Sequence, residues 1–381
     1  MNIPSLQQFT TTTHCLQATG TWRESVHVFD ERSAQAIRAA LAAGRPLLVR
    51  GEPGTGKSQL ARAAAKVLGR KFLSHVVDAH TEIQDLWYRF DAVSRLGNAQ
   101  VLSATVQLLD VDDAALKHKR QQQKIDETLD PEQYLSPGIL WWAFAWQEAA
   151  AHSCKHPLFV PDKDDPGNEE NGVVLLLDEI DKADADLPNS LLETLDNGKF
   201  TVPWIKKTIG VNCDGENKVR PLVVITTNED RQLPGAFIRR CMVLDLRLPT
   251  QEKRLKQYLK ETAAFHFPAQ AREQGCVDTV LERDKNGIVT NIKSRFEDQV
   301  LEEAAEQLRK DRKQAESLGV IPPGQAEYLD MLRVLDELEP DDTQAQLKLL
   351  VSIKEYALKK YPGMQRAAGQ ETVAEDEVAR E

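Results

Sequence analysis

The sequence predicts an α/β protein, a parallel sheet layered between helices and followed by a smaller helical domain. Five short apolar runs, at 46–50, 71–77, 173–177, 222–227 and 242–246, alternate with stretches of helical periodicity. One of them, Val173-Val174-Leu175-Leu176-Leu177, is apolar at every position, as a strand buried on both faces must be. After Pro249 the pattern is helical throughout: Leu255 and Leu259, then Val300, Leu301, Ala304, Ala305 and Leu308, then Tyr328, Leu332 and Leu335, then Leu347, Leu350, Val351, Ile353 and Leu358. A chain of 381 residues has room for both parts.

Residues 1–29 are rich in Thr, Gln and Ser with weak periodicity, and read as a loosely held lead-in. From Asp30, Ala34, Ile37, Ala40 and Leu41 mark a helix that offers apolar cover to a bound base. The next strand, Pro46 to Arg50, runs into Gly51-Glu52-Pro53-Gly54-Thr55-Gly56-Lys57-Ser58, and a helix follows from Gln59 to Leu68. This is G-x-x-x-x-G-K-[ST] in the strand–loop–helix context that gives the motif its meaning. Gly51, Gly54 and Gly56 let the backbone curl so that successive N–H groups point at phosphate oxygens. The helix start adds free N–H groups and the positive end of its dipole. Lys57 is placed to reach the β- and γ-phosphates, and the Ser58 hydroxyl to ligate Mg²⁺. The stretch Gly51 to Gln59 is therefore the candidate nucleoside triphosphate loop.

The interval 79–171 is long. Leu86 to Ala92 followed by Gly97-Asn98 reads as a hairpin. The charged segment 110–132 contains Lys117-His118-Lys119-Arg120, too short and interrupted a basic patch to favour nucleic acid over a solvated helix face. Trp142 and Trp146 fall on one face of a helix, as core or interface residues do. Residues 162–172 are acidic with Pro and Gly, a surface loop.

The strand Val173–Leu177 ends in Asp178-Glu179. Two acids after a strand are weak evidence alone, since helix caps look similar. Paired with the upstream loop they make Asp178 a candidate Mg²⁺ ligand and Glu179 a candidate general base for an attacking water. A helix over Leu187–Leu195 then ends at Asn197-Gly198, and Phe200-Thr201-Val202 opens a hairpin. The fourth strand ends in Asn228, an amide able to orient that water, and Arg239-Arg240 precede the fifth.

A net charge of −11 makes a broad nucleic-acid surface unexpected. The five cysteines lack C-x-x-C spacing, which argues against a zinc site or disulfide framework and suits a reducing cytosol. No secretory leader is evident and no apolar run reaches the roughly 20 residues a membrane span needs, so a cytoplasmic protein is expected.

Taken together, the Walker A loop, the Walker B strand ending in Asp-Glu, the strand-end Asn, the arginine before the last strand and the helical lid resemble the AAA+ superfamily. Within it the chain is most similar to the MoxR-like branch of the helix-2-insert group. Leu86–Gln100 with Pro137-Gly138 fits the insert, here around 84–138. Leu177 to Ile180, and the stretch on to Leu195-Asp196-Asn197-Gly198-Lys199-Phe200-Thr201-Val202-Pro203, fits the MoxR Walker B, helix and pre-sensor hairpin. The resemblance implies an α/β core of five parallel strands over 30–247, a helical lid over 248–362 and a disordered acidic tail over 363–381. It implies Asn228 as sensor 1 and Arg240, with Arg239 as runner-up, as an arginine finger reaching a neighbouring copy. That requires a head-to-tail ring, expected to be hexameric, with ATP and Mg²⁺ at its interfaces. It further implies remodelling of a protein client, with the hairpin near Phe200–Trp204 touching it and a von Willebrand A domain protein as partner. The alternative is a nucleic-acid motor of the McrB type; a small-molecule kinase fits less well. The chain departs from the family at Pro322–Glu327, where a sensor 2 arginine is expected and none stands.

Overall fold

The computed structural model describes residues 3–106, 122–123, 125–152, 157, 159–211, 219–269, 276–285 and 287–358. The charged patch 117–120 and the acidic tail 363–381 lie outside them. In chain order the elements begin with α1 (Leu6–Thr10), β1 (His14–Leu16), β2 (Ser25–His27), α2 (Glu31–Ala43), β3 (Leu47–Arg50), α3 (Lys57–Leu68) and β4 (Arg70–Val76). The inserted stretch supplies α4 (Ile83–Trp87), β5 (Tyr88–Phe90), α5 (Ala92–Val106), β6 (Leu135–Pro137), α6 (Ile139–Phe144) and α7 (Trp146–Ala151). Next come β7 (Asn168–Asp178), α8 (Asp186–Asn197), β8 (Lys199–Val202), β9 (Lys207–Gly210), β10 (Leu222–Thr227), α9 (Gly235–Arg240) and β11 (Met242–Asp245). Four longer helices follow: α10 (Glu252–His266), α11 (Asp298–Ser317), α12 (Gln325–Leu338) and α13 (Thr343–Ala357).

The central sheet has the order β11-β3-β10-β7-β4, every neighbouring pair parallel. All five strands sit where the apolar runs predict. Alternate residues feed two cores: Leu48, Leu73, Leu175, Leu177, Val223 and Ile225 face one, and Leu47, Val49, Val174, Leu176, Leu222 and Val224 the other. The second core is closed by α2 and α3, both with sharp ends. Asp30 accepts from the Ser33 N–H at 2.8 Å to start α2. Left-handed glycines, Gly44 and Gly69, end α2 and α3. The four C-terminal helices bury a third core around Leu259, Val300, Leu308, Tyr328 and Leu332, as their spacing predicts.

The lead-in is not loosely held. Phe9 and Phe29 are fully buried and meet edge to face at 5.2 Å, and β1 pairs antiparallel with β2. Long-range polar contacts fix it. Arg62 on α3 donates to the Gln17 and Arg23 carbonyls, and Thr13 N–H donates to the Thr279 carbonyl at 2.8 Å. A disulfide joins Cys15 to Cys276, where the cysteine spacing predicts none. The partners stand 261 residues apart in sequence, so only the fold brings them together. Among the described residues Cys241 is free and buried.

Three local expectations also change. Gly97-Asn98 lies inside α5, because the Asp91 carboxylate caps that helix at the Ser94 N–H (2.8 Å), and β5 pairs instead with β6. Trp142 and Trp146 belong to two short helices broken at Ala145, their rings edge to face at 5.1 Å. Residues 168–172 extend β7 rather than a loop. The β8–β9 hairpin forms as expected, but Phe200 turns inward to stack on Trp87 at 5.7 Å. Trp204 at its tip stays 46% exposed, stacked on Phe90.

Candidate functional site

The sheet order places β3 and β7 on either side of β10, so the loops leaving their carboxyl ends converge. Gly51, Gly54 and Gly56 all take positive φ (151°, 76° and 85°), the conformation a curling amide cradle requires. A Cβ at Gly51 would stand 2.1 Å from the Leu246 carbonyl oxygen, and one at Gly54 would stand 2.8 Å from Ala326 of α12. The loop is thus wedged between β11's exit and the lid. The Thr55 hydroxyl closes it onto the Glu52 carbonyl at 2.9 Å.

Lys57 is buried, and its ammonium donates to the Gly51 carbonyl (2.7 Å), the Glu52 carbonyl (2.9 Å) and Asn228 Oδ1 (2.8 Å). Desolvation pulls its pKa below the ordinary lysine value, opposed by the charges of Asp178, Asp181, Glu179 and Asp230. The Ser58 hydroxyl donates to Asp178 Oδ2 at 2.9 Å. Asp178 also accepts from the Thr226 hydroxyl, which in turn accepts from the Glu179 N–H at 2.9 Å. Glu179 has a left-handed backbone, φ 61° and ψ 47°. Its carboxylate accepts from Asn228 Nδ2 at 3.4 Å and pairs with Lys182 Nζ at 2.6 Å.

The structure therefore brings Lys57, Ser58, Asp178, Glu179 and Asn228 into one constellation at the sheet's carboxyl edge. A cleft of about 990 Å³ opens over it. One wall is the end of the lead-in and the start of α2, from Trp22 to Glu31, and the opposite wall is the lid, including Tyr258, His266 and Arg333. Gln59 accepts from the Ser25 hydroxyl at 2.9 Å and so ties the lead-in to the loop's helix. The residues fit a triphosphate with a divalent cation. The loop is an amide concavity with one buried ammonium, and Ser58 and Asp178 supply hard oxygen ligands within 2.9 Å of each other. Arg239 and Arg240 are not brought to this cleft; Arg240 Nε pairs with Asp196 Oδ2 at 2.8 Å, on the face carrying α8 and α9.

Residues 46–241 match the model of the AAA domain, dynein-related subfamily. The chain belongs to that family. It is accordingly an ATPase with a nucleotide-binding AAA core, and the matched span runs from the strand before the loop to the end of α9. No curated protein matches the sequence. Among solved structures, a candidate ATPase from Cytophaga hutchinsonii is similar at 12% identity and a TM-score of 0.32, over 86% of this chain and 79% of that one. C. elegans PCH-2 is similar at 14% identity and a TM-score of 0.37, over 86% of this chain and 69% of that one. Among the described residues no helix is long and apolar enough to cross a membrane.

Several residues of this AAA site escape sequence reading. Thr226 bridges the two acids, and its only trace is a Thr-Thr pair ending an otherwise apolar strand. Arg312 on α11 holds the Glu52 carboxylate with both terminal nitrogens, at 2.9 and 3.2 Å. Nothing near Arg312 in sequence hints at this. At the start of α12, where the family resemblance expects an arginine, Gln325 Oε1 instead accepts from the Tyr258 hydroxyl at 2.6 Å.

Proposed function

We propose that this AAA protein is a MoxR-like ATPase that works as a head-to-tail ring, hexameric by family analogy, and couples ATP hydrolysis to remodelling a protein client. The observation that carries the reading is the split of the machinery. Lys57, Ser58, Asp178, Glu179 and Asn228 share one cleft, while Arg240 stands apart on an outer face with its side chain 48% exposed. A guanidinium so placed serves another copy's cleft more readily than its own.

In this mechanism the loop amides and Lys57 hold the phosphates, and Ser58 and Asp178 would hold Mg²⁺. The ion, when bound, neutralises charge on the phosphate oxygens. Thr226 fixes the Asp178 carboxylate and the Glu179 backbone together, so the two acids keep their relative placement. Glu179 takes a proton from the attacking water, which Asn228 helps to orient. Arg240 of an adjacent copy offsets the charge developing on the terminal phosphate, with Arg239 as second choice. The Asp196 pairing is released as Arg240 crosses the interface. Client contact falls to the exposed Trp204 at the β8–β9 tip rather than to Phe200, which is buried. A partner with a von Willebrand A domain fits the family resemblance.

The test uses two inactive variants. Lys57→Ala should lose ATP binding, and Arg240→Ala should bind ATP but turn over at least about a hundredfold more slowly. Mixed together they should recover activity, because Lys57→Ala copies lend an intact Arg240 to working clefts. Wild-type turnover by Arg240→Ala alone would sink the assignment, as would full activity in a protein that stays monomeric with ATP and Mg²⁺.

A further inference from the structure

One guanidinium of the lid holds a carboxylate of the P-loop. Arg312, 13% exposed, donates from Nη1 to Glu52 Oε2 (2.9 Å) and from Nη2 to Glu52 Oε1 (3.2 Å), a bidentate pair. Nη1 also donates to the Pro323 carbonyl at 2.7 Å, in the turn that launches α12. That turn and the start of α12 lie on the loop itself, since a Cβ at Gly324 would stand 2.9 Å from the Pro53 carbonyl oxygen. Glu52 is the second residue of the loop. Its carbonyl accepts both the Thr55 hydroxyl and the Lys57 ammonium. Three pieces are therefore bolted at one point: the phosphate cradle, the body of the lid on α11 and the turn before α12.

We propose that Arg312 is a positioning residue for ATP. It cancels the negative charge of a carboxylate carried by the phosphate loop, at the point where that loop meets the lid. This rests on the reading of Gly51–Ser58 as the triphosphate cradle. The physical reason is charge. Glu52 carries a negative charge on the loop that must receive a polyanion, and its pairing with Arg312 cancels that charge. With Arg312 gone, the carboxylate opposes the phosphates, and the opposition grows with phosphate charge. ATP is hurt more than ADP.

The signs separate this from a merely structural role. Arg312→Met should weaken ATP binding by about tenfold and ADP binding by less, a size between exposed and buried pairs. Glu52→Gln removes the loop's negative charge while the guanidinium's positive charge remains, and should leave ATP affinity equal or tighter. The double variant Glu52→Gln/Arg312→Met should recover most of the loss, although it restores no contact. A purely structural Arg312 predicts that both single variants weaken ATP and ADP alike and that the double variant is no better than either. Binding is read by equilibrium titration with fluorescent ATP and ADP analogues, and folding by circular dichroism. If Arg312→Met does not fold, Arg312→Lys keeps the charge without the fork and should show a smaller loss of the same ATP-over-ADP sense. Lys57→Ala is the control: normal ATP binding there would sink the cradle assignment itself. Loss in Lys57→Ala with wild-type ATP affinity in Arg312→Met would sink only the proposal for Arg312.

Discussion

The central sheet and the lead-in are both ordered, and for opposite reasons. In β7, Val174 to Leu177 are each fully buried and paired with β10 on one side and β4 on the other. Order there is written into consecutive residues. The lead-in has two short strands, β1 and β2, whose pairing covers three residues each. It stays in place through partners distant in sequence: Arg62, Thr279, Cys276, and the Lys66–Asp278 pair beside Cys15. The sheet therefore depends on apolar volume held by neighbours in sequence, and the lead-in on a few buried aromatics together with polar and covalent ties to distant residues. Both border the same cleft, so a ligand feels two kinds of stability at once.

The largest break in that comparison should come from the sheet. Leu175→Ala, which leaves a cavity beneath the acidic strand tip, is expected to cost about 3–5 kcal/mol in urea unfolding and to weaken nucleotide binding with it. Cutting the lead-in's covalent tie should cost less. Cys15→Ser, compared under non-reducing conditions, is expected to lose about 2–4 kcal/mol. A thiol reductant should bring the wild type down to the same melting temperature and leave the variant unmoved. An equal fall in both would show that the disulfide does not hold the lead-in.

The last effect concerns protons. Burial pushes His27 down to about 3, with the charges of His14 and His266 adding to the shift. Burial likewise pushes His266 down to about 4 and lowers His14. These groups are neutral when folded and free to charge when unfolded, so below the ordinary histidine value near 6.5 the unfolded chain binds more protons. Stability should fall as pH drops from about 6.5 toward 4, by at most about 1.4 kcal/mol per pH unit for each histidine. His27→Phe should make the fall shallower in melts taken between pH 7.5 and 4.5. A slope unchanged by the substitution would mean that His27 does not titrate with unfolding.

What the sequence showed follows the same division. The strands, the phosphate loop, Asp178-Glu179 and Asn228 were legible because each depends on neighbours within a few residues. The meeting of loop, acids and amide at one sheet edge follows from the strands all being parallel, whereas their spatial order rests on pairings distant in sequence. The order of the lead-in is hidden by its polar composition, because its anchors are two phenylalanines and several distant side chains. Gly97-Asn98 was misread because a helix cap at Asp91 outweighs a turn dipeptide once the helix has started. Thr226 and Arg312 were invisible, since one is an ordinary strand residue and the other an ordinary charge on a helix until the chain closes.

The backbone at Glu179 limits how robust this fold can become. A non-glycine residue at φ 61° carries strain on the order of 1 kcal/mol or more, and Glu229 at the neighbouring strand tip is bent the same way at φ 64°. Selection for heat tolerance alone would favour glycine at both places, trading away the candidate proton acceptor for durability. An engineer seeking a hardier variant of this ATPase should therefore leave these two corners untouched and look for gains in the helical lid.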